Sequence, residues 1–235
     1  MEGITRIDMN KTLLREIVER HVKEGFAEKV EIVEKAICEL VDDTPREQLL
    51  RTLEQMTDRA LAKHHREESR WAYLTDCDRL DRAFAKLEEA GIVARQHFSC
   101  CNNCGHKQIM LEVRRKQRQE SCIGYAFFHR GDTERAAKTG ILYITFGDVV
   151  SGGGGFGAGV DGGVSVDGGS TKEDGEPMRC DSYGGDAVGR AIVAALEGEG
   201  LSVIWNGSYL QRICVNGLNW QRRRVAVLDV GEMAG

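Results

Sequence analysis

Three stretches decide how this chain folds: Thr75-Asp76-Cys77-Asp78-Arg79-Leu80, then Gly91-Ile92-Val93-Ala94-Arg95, then Phe98-Ser99-Cys100-Cys101-Asn102-Asn103-Cys104-Gly105-His106. Thr75 is a helix cap followed by two carboxylates that suit the positive end of a helix dipole. Leu80, Phe84 and Leu87 recur at helical spacing, and Gly91 stops the helix. Ile92 to Phe98 then reads as a strand, and the cysteine-rich turn leads into a second helix from about Cys104 to Arg118. Alternation of helix and strand is the pattern of an α/β domain.

Downstream, Ile123 to His129 is a second strand, Asp132-Thr133-Glu134 opens a short helix closed by Gly140, and Ile141 to Phe146 is a third strand. Leu196, Gly200, Leu201 and Ser202-Val203 repeat Leu87, Gly91, Ile92 and Val93-Ala94 at a constant offset, so two similar helix-strand units are expected. Asn206-Gly207 is a turn signal that folds the chain back as Arg212 to Val215, with Val225 to Val230 as a further strand. Upstream, Leu13, Leu14, Ile17, Val18 and Val22, then Val30, Val33, Ile37 and Leu40, form helical apolar stripes on either side of Gly25. Thr44-Pro45-Arg46-Glu47 starts another helix, from Pro45 to about His65, whose paired His64 and His65 are expected at an exposed end. The expectation is a helical subdomain over 1–70 and an α/β (or α+β) domain over 71–235, with a mixed sheet of four to six strands and flanking helices.

The chain has 235 residues, 41% of them apolar and 29% charged, enough for one core with a subdomain or for two small domains. Its net charge of −5 argues against a nucleic-acid binder, and the basic runs Arg114 to Arg118 and Arg222 to Arg224 read as solvated ends of elements. Met1 to Asn10 lacks the apolar segment of a signal peptide, and no apolar run approaches the roughly 20 residues of a bilayer span, so no membrane and a cytoplasmic location are expected. In a reducing compartment eight cysteines stay free, bind metal or turn over. The segment from Ser151 to Gly175 reads as a glycine-rich loop. Its Gly157-x-Gly159-x-x-Gly162 lacks the helix that a dinucleotide fingerprint requires.

Element lengths tie the cysteines to distant residues. A helix from Asp76 to Ala90 spans roughly 22 Å and a strand from Ile92 to Phe98 roughly 23 Å, so a tight turn at Gly91 returns the chain to the level of Cys77. A right-handed crossover delivers His129 to the same rim. In a mostly parallel sheet Asp132, Asp148, the glycine loop and Asn206 join it, where open α/β sheets keep their ligand sites. The connection from His129 to Ile141 is short for a parallel crossover, and an antiparallel pairing would send Asp148 to the opposite rim.

Three chemistries fit this rim. Cys101-x-x-Cys104-Gly105 has the form of half a zinc knuckle, so the candidate metal ligands are Cys101, Cys104, Cys77 and His129, with Cys100 and His106 as alternates. Asp76, Asp78, Asp132 and Asn206 are the other rim residues. A strand, then Cys-x-x-Cys, then a helix is also the order of dithiol oxidoreductases, although Pro45 and Pro177 lie outside any position for a facing cis-proline. A related variant pairs Cys100 or Cys101 as nucleophile with His129 as base and Asp132 as orienter. Finally, cysteines at a crowded turn serve as small apolar core residues. The first expectation is a non-catalytic binding or regulatory protein with zinc at the cysteine turn; the alternative is a small thiol-dependent enzyme. The N-terminal helices offer a surface for a homodimer or a protein partner.

Trp71-x-x-x-Thr75-Asp76-Cys77-Asp78-Arg79-Leu80, Gly91-Ile92-Val93-Ala94-Arg95, Phe98-Ser99-Cys100-Cys101-x-x-Cys104-Gly105-His106, Gly124-Tyr125-x-Phe127-Phe128-His129 and Trp205-x-Gly207 before Arg212-Ile213 together resemble a family of uncharacterised bacterial proteins known only as a domain of unknown function. The resemblance covers about Trp71 to Arg224 and supplies no activity. It implies that the cysteine motif and the Tyr-x-Phe-Phe-His strand belong to one domain, and that the glycine segment departs from a shorter connection.

Overall fold

A computed structural model describes residues 6–39, 46–118, 121–149 and 185–224. The glycine segment 151–175 and the strand expected at 225–230 lie outside these residues. The chain divides into two compact units, Met1–Asp78 with Asn219–Gly235, and Arg79–Leu218.

In the first unit α1 (Arg6–Glu24), α2 (Lys29–Glu39) and α3 (Arg46–Glu68) enclose a core of Leu14, Ile17, Val18 and Val22 with Ile32, Val33 and Ala36 and with Leu49, Leu53 and Ala60. These are most of the stripe residues visible in the sequence, broken where Gly25 adopts a left-handed φ of +82°. Leu13 and Val30, counted in the stripes, are exposed. The segment from Asn219 onward belongs to the same unit. The Trp220 indole donates to the Lys23 carbonyl at 3.2 Å, and the Arg222 guanidinium lies 4.2 Å over the Phe26 ring. Arg223 pairs with Asp78, and Arg224 donates to the Ala27 carbonyl. The expectation of a solvated basic run at Arg222 to Arg224 is therefore corrected: these side chains are spent inside the unit. His64 is corrected too, because it is buried with Nε2 3.0 Å from the Arg222 carbonyl and 3.2 Å from Glu68 Oε1, whereas the His65 side chain is exposed.

The second unit is an α/β fold around a mixed five-stranded sheet. Helix α4 (Asp76–Glu89), whose first turn belongs to the first unit, precedes β1 (Ile92–Arg95); α5 (Asn102–Lys116), β2 (Gly124–Phe127), α6 (Arg130–Thr139) and β3 (Leu142–Asp148) follow, then α7 (Gly185–Gly198), β4 (Ser202–Ile204) and β5 (Ile213–Asn216). The sheet order is β1-β2-β3-β5-β4. The two repeated helix-strand units, α4-β1 and α7-β4, end their helices on left-handed glycines, Gly91 at φ +81° and Gly200 at φ +80°, and their strands occupy the two edges.

Only β1 and β2 run parallel; β2 with β3, β3 with β5 and β4 with β5 are antiparallel. Asp148 consequently stands opposite Gly124, at the end where β2 begins. Three successive reversals also make β4 run against β2, so Asn206 leaves the sheet on that same far side. The parallel sheet on which a shared rim for Asp148 and Asn206 depended is not formed.

β1 is shorter than expected. His97 at φ +50° and Ser99 at φ +63° take left-handed backbone that a strand cannot continue, and the Phe98 amide turns to the Phe128 carbonyl at 2.8 Å. On the outer edge of β1 the Ala94 amide donates to Glu88 Oε1 at 2.7 Å, while Lys116 and Arg95 also reach Glu88, and Arg95 Nε reaches Glu112 at 2.6 Å. Charges at this position blunt an edge that would otherwise pair with another chain.

Burial alone would raise the pKa of Glu88, but the bonds from Lys116, the Ala94 amide and Arg95 outweigh it and hold the carboxyl below its ordinary range. A depressed folded-state pKa stabilises above the unfolded value, and that contribution is lost as pH falls through the folded one. Glu88→Gln is therefore expected to lower the urea midpoint at pH 7, by the equivalent of about 0.5–1 kcal/mol for a half-exposed network. The gap from the parent protein is expected to close as the pH is taken below 4; a gap that widens on acidification contradicts the assignment.

Candidate metal centre at the cysteine turn

The cysteine turn is held from beneath by packing and from both flanks by hydrogen bonds. Helix α5 lies on β2 through Ile109 and Val113 against Val93, Tyr125 and Phe127. The Phe127 ring occupies the space that a β-carbon on Gly105 would need, so only glycine permits this approach. The Asn102 side-chain oxygen Oδ1 accepts from the Thr145 hydroxyl at 2.9 Å, which pins the first turn of α5 to β3. The Arg130 amide donates to the Ser99 carbonyl at 3.3 Å, and the Gly105 amide to the Cys101 carbonyl at 2.8 Å. Helix α5 begins two residues earlier than the sequence indicated, with Cys101 extended at its N-cap.

With the inner face so occupied, the thiols turn outward. Cys100 and Cys101 are exposed and Cys104 is half-buried, and their three sulfurs lie within 4.8 Å of one another. Cys100 and Cys101 Sγ are 3.8 Å apart. A tetrahedral ion with metal-sulfur bonds of about 2.3 Å requires sulfur-sulfur edges of about 3.8 Å. One edge of the cluster has that length, and the three sulfurs are close enough together that they could hold a metal ion. The amide of Cys104 and the thiols of Cys104 and Cys100 favour the Cys101 thiolate and lower its pKa, whereas the neighbouring sulfurs Cys100 and Cys101 push the Cys104 thiol up to about 11.

The other residues singled out in the sequence are placed as follows. His106 is buried on the inner side of α5, its Nδ1 3.3 Å from the Tyr125 hydroxyl and its ring edge-on to Tyr125 and Phe127. Burial, and then the charge of Arg212, lower its pKa; burial and the charge of Asp148 push Tyr125 up to about 12. His129 caps α6: Nδ1 accepts from the Asp132 amide at 3.3 Å, Nε2 lies 3.2 Å from Asp132 Oδ2, and that carboxylate accepts from the His129 amide at 3.1 Å. Both ring nitrogens are thus engaged at the start of its own helix. Cys77 is 2% exposed on the first turn of α4. Asp76 accepts from the Asn219 amide at 2.9 Å, and Asp78 completes a capping box with Thr75. Asn206 accepts from the Ser208 amide within its turn. Among the described residues the metal-capable group consists of Cys100, Cys101 and Cys104, and neither Cys77 nor His129 nor His106 is part of it.

Two participants were not visible in the sequence. Arg212 reads there as an ordinary strand-end cation, yet its Nη2 donates to Asp132 Oδ2 and to the Tyr143 carbonyl, and its guanidinium lies 5.5 Å from the Tyr143 ring centre. Thr145 sits in an apolar strand with no mark of its bond to Asn102.

Fold and site together define a mixed α/β protein with an exposed three-thiol cluster at a strand-to-helix turn. The chain belongs to a family described as Domain of unknown function (DUF6891), which matches residues 8–165 and 169–224. The match reaches upstream of Trp71 through nearly all of the helical region, and it includes most of the glycine-rich stretch, leaving out 166–168. Comparison with curated proteins and with solved structures found no match.

On protein stripped of metal with a chelator, iodoacetamide at pH 7.5 is expected to label Cys101 well before Cys104, read by peptide mass spectrometry; Cys104 leading contradicts the assigned electrostatics. Asp132 is 1% exposed, so Asp132→Asn strands the Arg212 charge and is expected to cost about 3–5 kcal/mol in urea unfolding followed by tryptophan fluorescence, with Asp132→Asn/Arg212→Met recovering part of the loss. A loss below about 1 kcal/mol contradicts a buried, mutually dependent pair.

Proposed function

We propose that this protein binds zinc at Cys100, Cys101 and Cys104 and acts as a binding or regulatory protein, not as an enzyme. One observation carries the proposal: the sulfurs of three cysteines lie within 4.8 Å of one another at the turn that leads into α5. Thiolates suit zinc among the divalent ions a cell offers. Binding releases the thiol protons, so affinity falls as pH falls. The set would be kept competent by a reducing compartment, in keeping with a cytoplasmic protein. Among the described residues no helix is long and apolar enough to cross a membrane.

Protein purified under reducing conditions without added zinc is expected to carry close to one equivalent by elemental analysis. Cys101→Ser and Cys104→Ser are each expected to bring this below about a tenth of an equivalent while the circular dichroism spectrum is kept. Less than a tenth of an equivalent on the parent protein, after zinc titration as well, contradicts the proposal.

A further inference from the structure

Cys101 and Cys104 are the first and last residues of a single helical turn. The Gly105 amide donates to the Cys101 carbonyl at 2.8 Å, which closes that turn at the N-terminus of α5. Residues three apart on such a turn have α-carbons about 5 Å apart by helix rise and radius, inside the roughly 4.4–6.8 Å that a disulfide spans. Their sulfurs already lie within 4.8 Å of each other. Cys100 and Cys101 are not an equivalent pair, although their sulfurs are 3.8 Å apart. Adjacent residues joined by a trans peptide have α-carbons about 3.8 Å apart, too close for an unstrained disulfide.

Exposure orders the pair. Cys101 is exposed and Cys104 half-buried, so Cys101 meets a dissolved oxidant first and Cys104 stands beside it as the partner thiol. An accessible thiol next to a second one is the arrangement in which a sulfenic acid condenses to a disulfide before it is oxidised further.

We propose that a hydroperoxide oxidises Cys101 and Cys104 to a reversible disulfide. In the first step the Cys101 sulfur attacks the peroxide: a sulfur-oxygen bond forms, the O–O bond breaks, and the departing oxygen takes the thiol proton and leaves as water or an alcohol. In the second the Cys104 sulfur attacks the sulfenic acid so formed: an S–S bond forms, the S–O bond breaks, and water leaves with the Cys104 proton. The two thiols lose two electrons and the hydroperoxide gains them. A disulfide sulfur is no longer the thiolate that a metal requires, so oxidation removes two of the three donors. On the zinc reading, on which this consequence alone rests, the same reaction releases the ion, and the turn holds either zinc or a disulfide.

The test uses full-length protein stripped of metal with a chelator and exchanged into chelator-free buffer. A slight molar excess of hydrogen peroxide is expected to lower the intact mass by two hydrogens, reversibly with dithiothreitol, and peptide mapping to place the link between Cys101 and Cys104. Cys100→Ser is expected to form the same link. Cys104→Ser is expected to leave Cys101 as a sulfenic acid that dimedone traps. A zinc-loaded sample is expected to give up its zinc to a chromogenic chelator as the link forms. Thiols that stay reduced, direct passage to sulfinic acid, or a link that uses Cys100 or a cysteine outside the turn such as Cys180 overturns the proposal and leaves the zinc reading standing. Zinc retained by the disulfide form overturns the exclusion of one by the other. A reduced protein that takes up no zinc, yet forms the Cys101–Cys104 link on oxidation, removes the zinc reading alone.

Discussion

The close approach of α5 to β2 at Gly105 is the constraint on which the cysteine turn depends. With the Phe127 ring where a side chain would stand, the first turn of α5 can sit in only one place on the sheet, and the Asn102–Thr145 hydrogen bond fixes its rotation. Given that rotation, Asn102, Gly105, His106 and Ile109 face inward or toward β3, which leaves Cys100, Cys101 and Cys104 at the outer surface. The grouping of the thiols thus follows from the packing of α5 on the sheet. The two left-handed residues, His97 and Ser99, are the cost of bringing the chain from β1 into that position.

A second set of interactions secures the flank. Asp132 is almost wholly buried and accepts from the His129 amide and from Arg212, so that it caps α6 and ties that helix to the start of β5 in one arrangement. A buried carboxylate of this kind is costly unless its lone pairs find donors, so removal of one partner leaves an uncompensated group at this end of the unit. His129 is drawn into the same arrangement through its amide and its ring nitrogens.

Local signals in the sequence were sufficient for most elements. The Thr75 cap, the stops at Gly91, Gly140 and Gly200 and most of the apolar stripes of α1 to α4 stand in the structure where their residue types place them, because each depends on contacts a few residues apart, whereas Leu13 and Val30 are exposed. The direction of β3 was not legible, since the connection from His129 to Ile141 suits an antiparallel return and nearly suits a crossover. Left-handed backbone at His97 and Ser99 carries no glycine to announce it, so β1 was read too long. Within the site, the proximity of Cys100, Cys101 and Cys104 followed from their spacing at a helix start. The inward use of Arg222 to Arg224, and the pairing of Arg212 with Asp132 across 80 positions, rest on tertiary contacts that no local pattern encodes.

Zinc K-edge X-ray absorption on the full-length protein, prepared with a phosphine reductant and no added thiol, tests most directly whether the turn is a three-sulfur site. The zinc proposal predicts three sulfur scatterers at about 2.3 Å and one lighter oxygen neighbour nearer about 2.0 Å. A shell of nitrogen and oxygen alone, or of four sulfurs already present without added thiol, would contradict it.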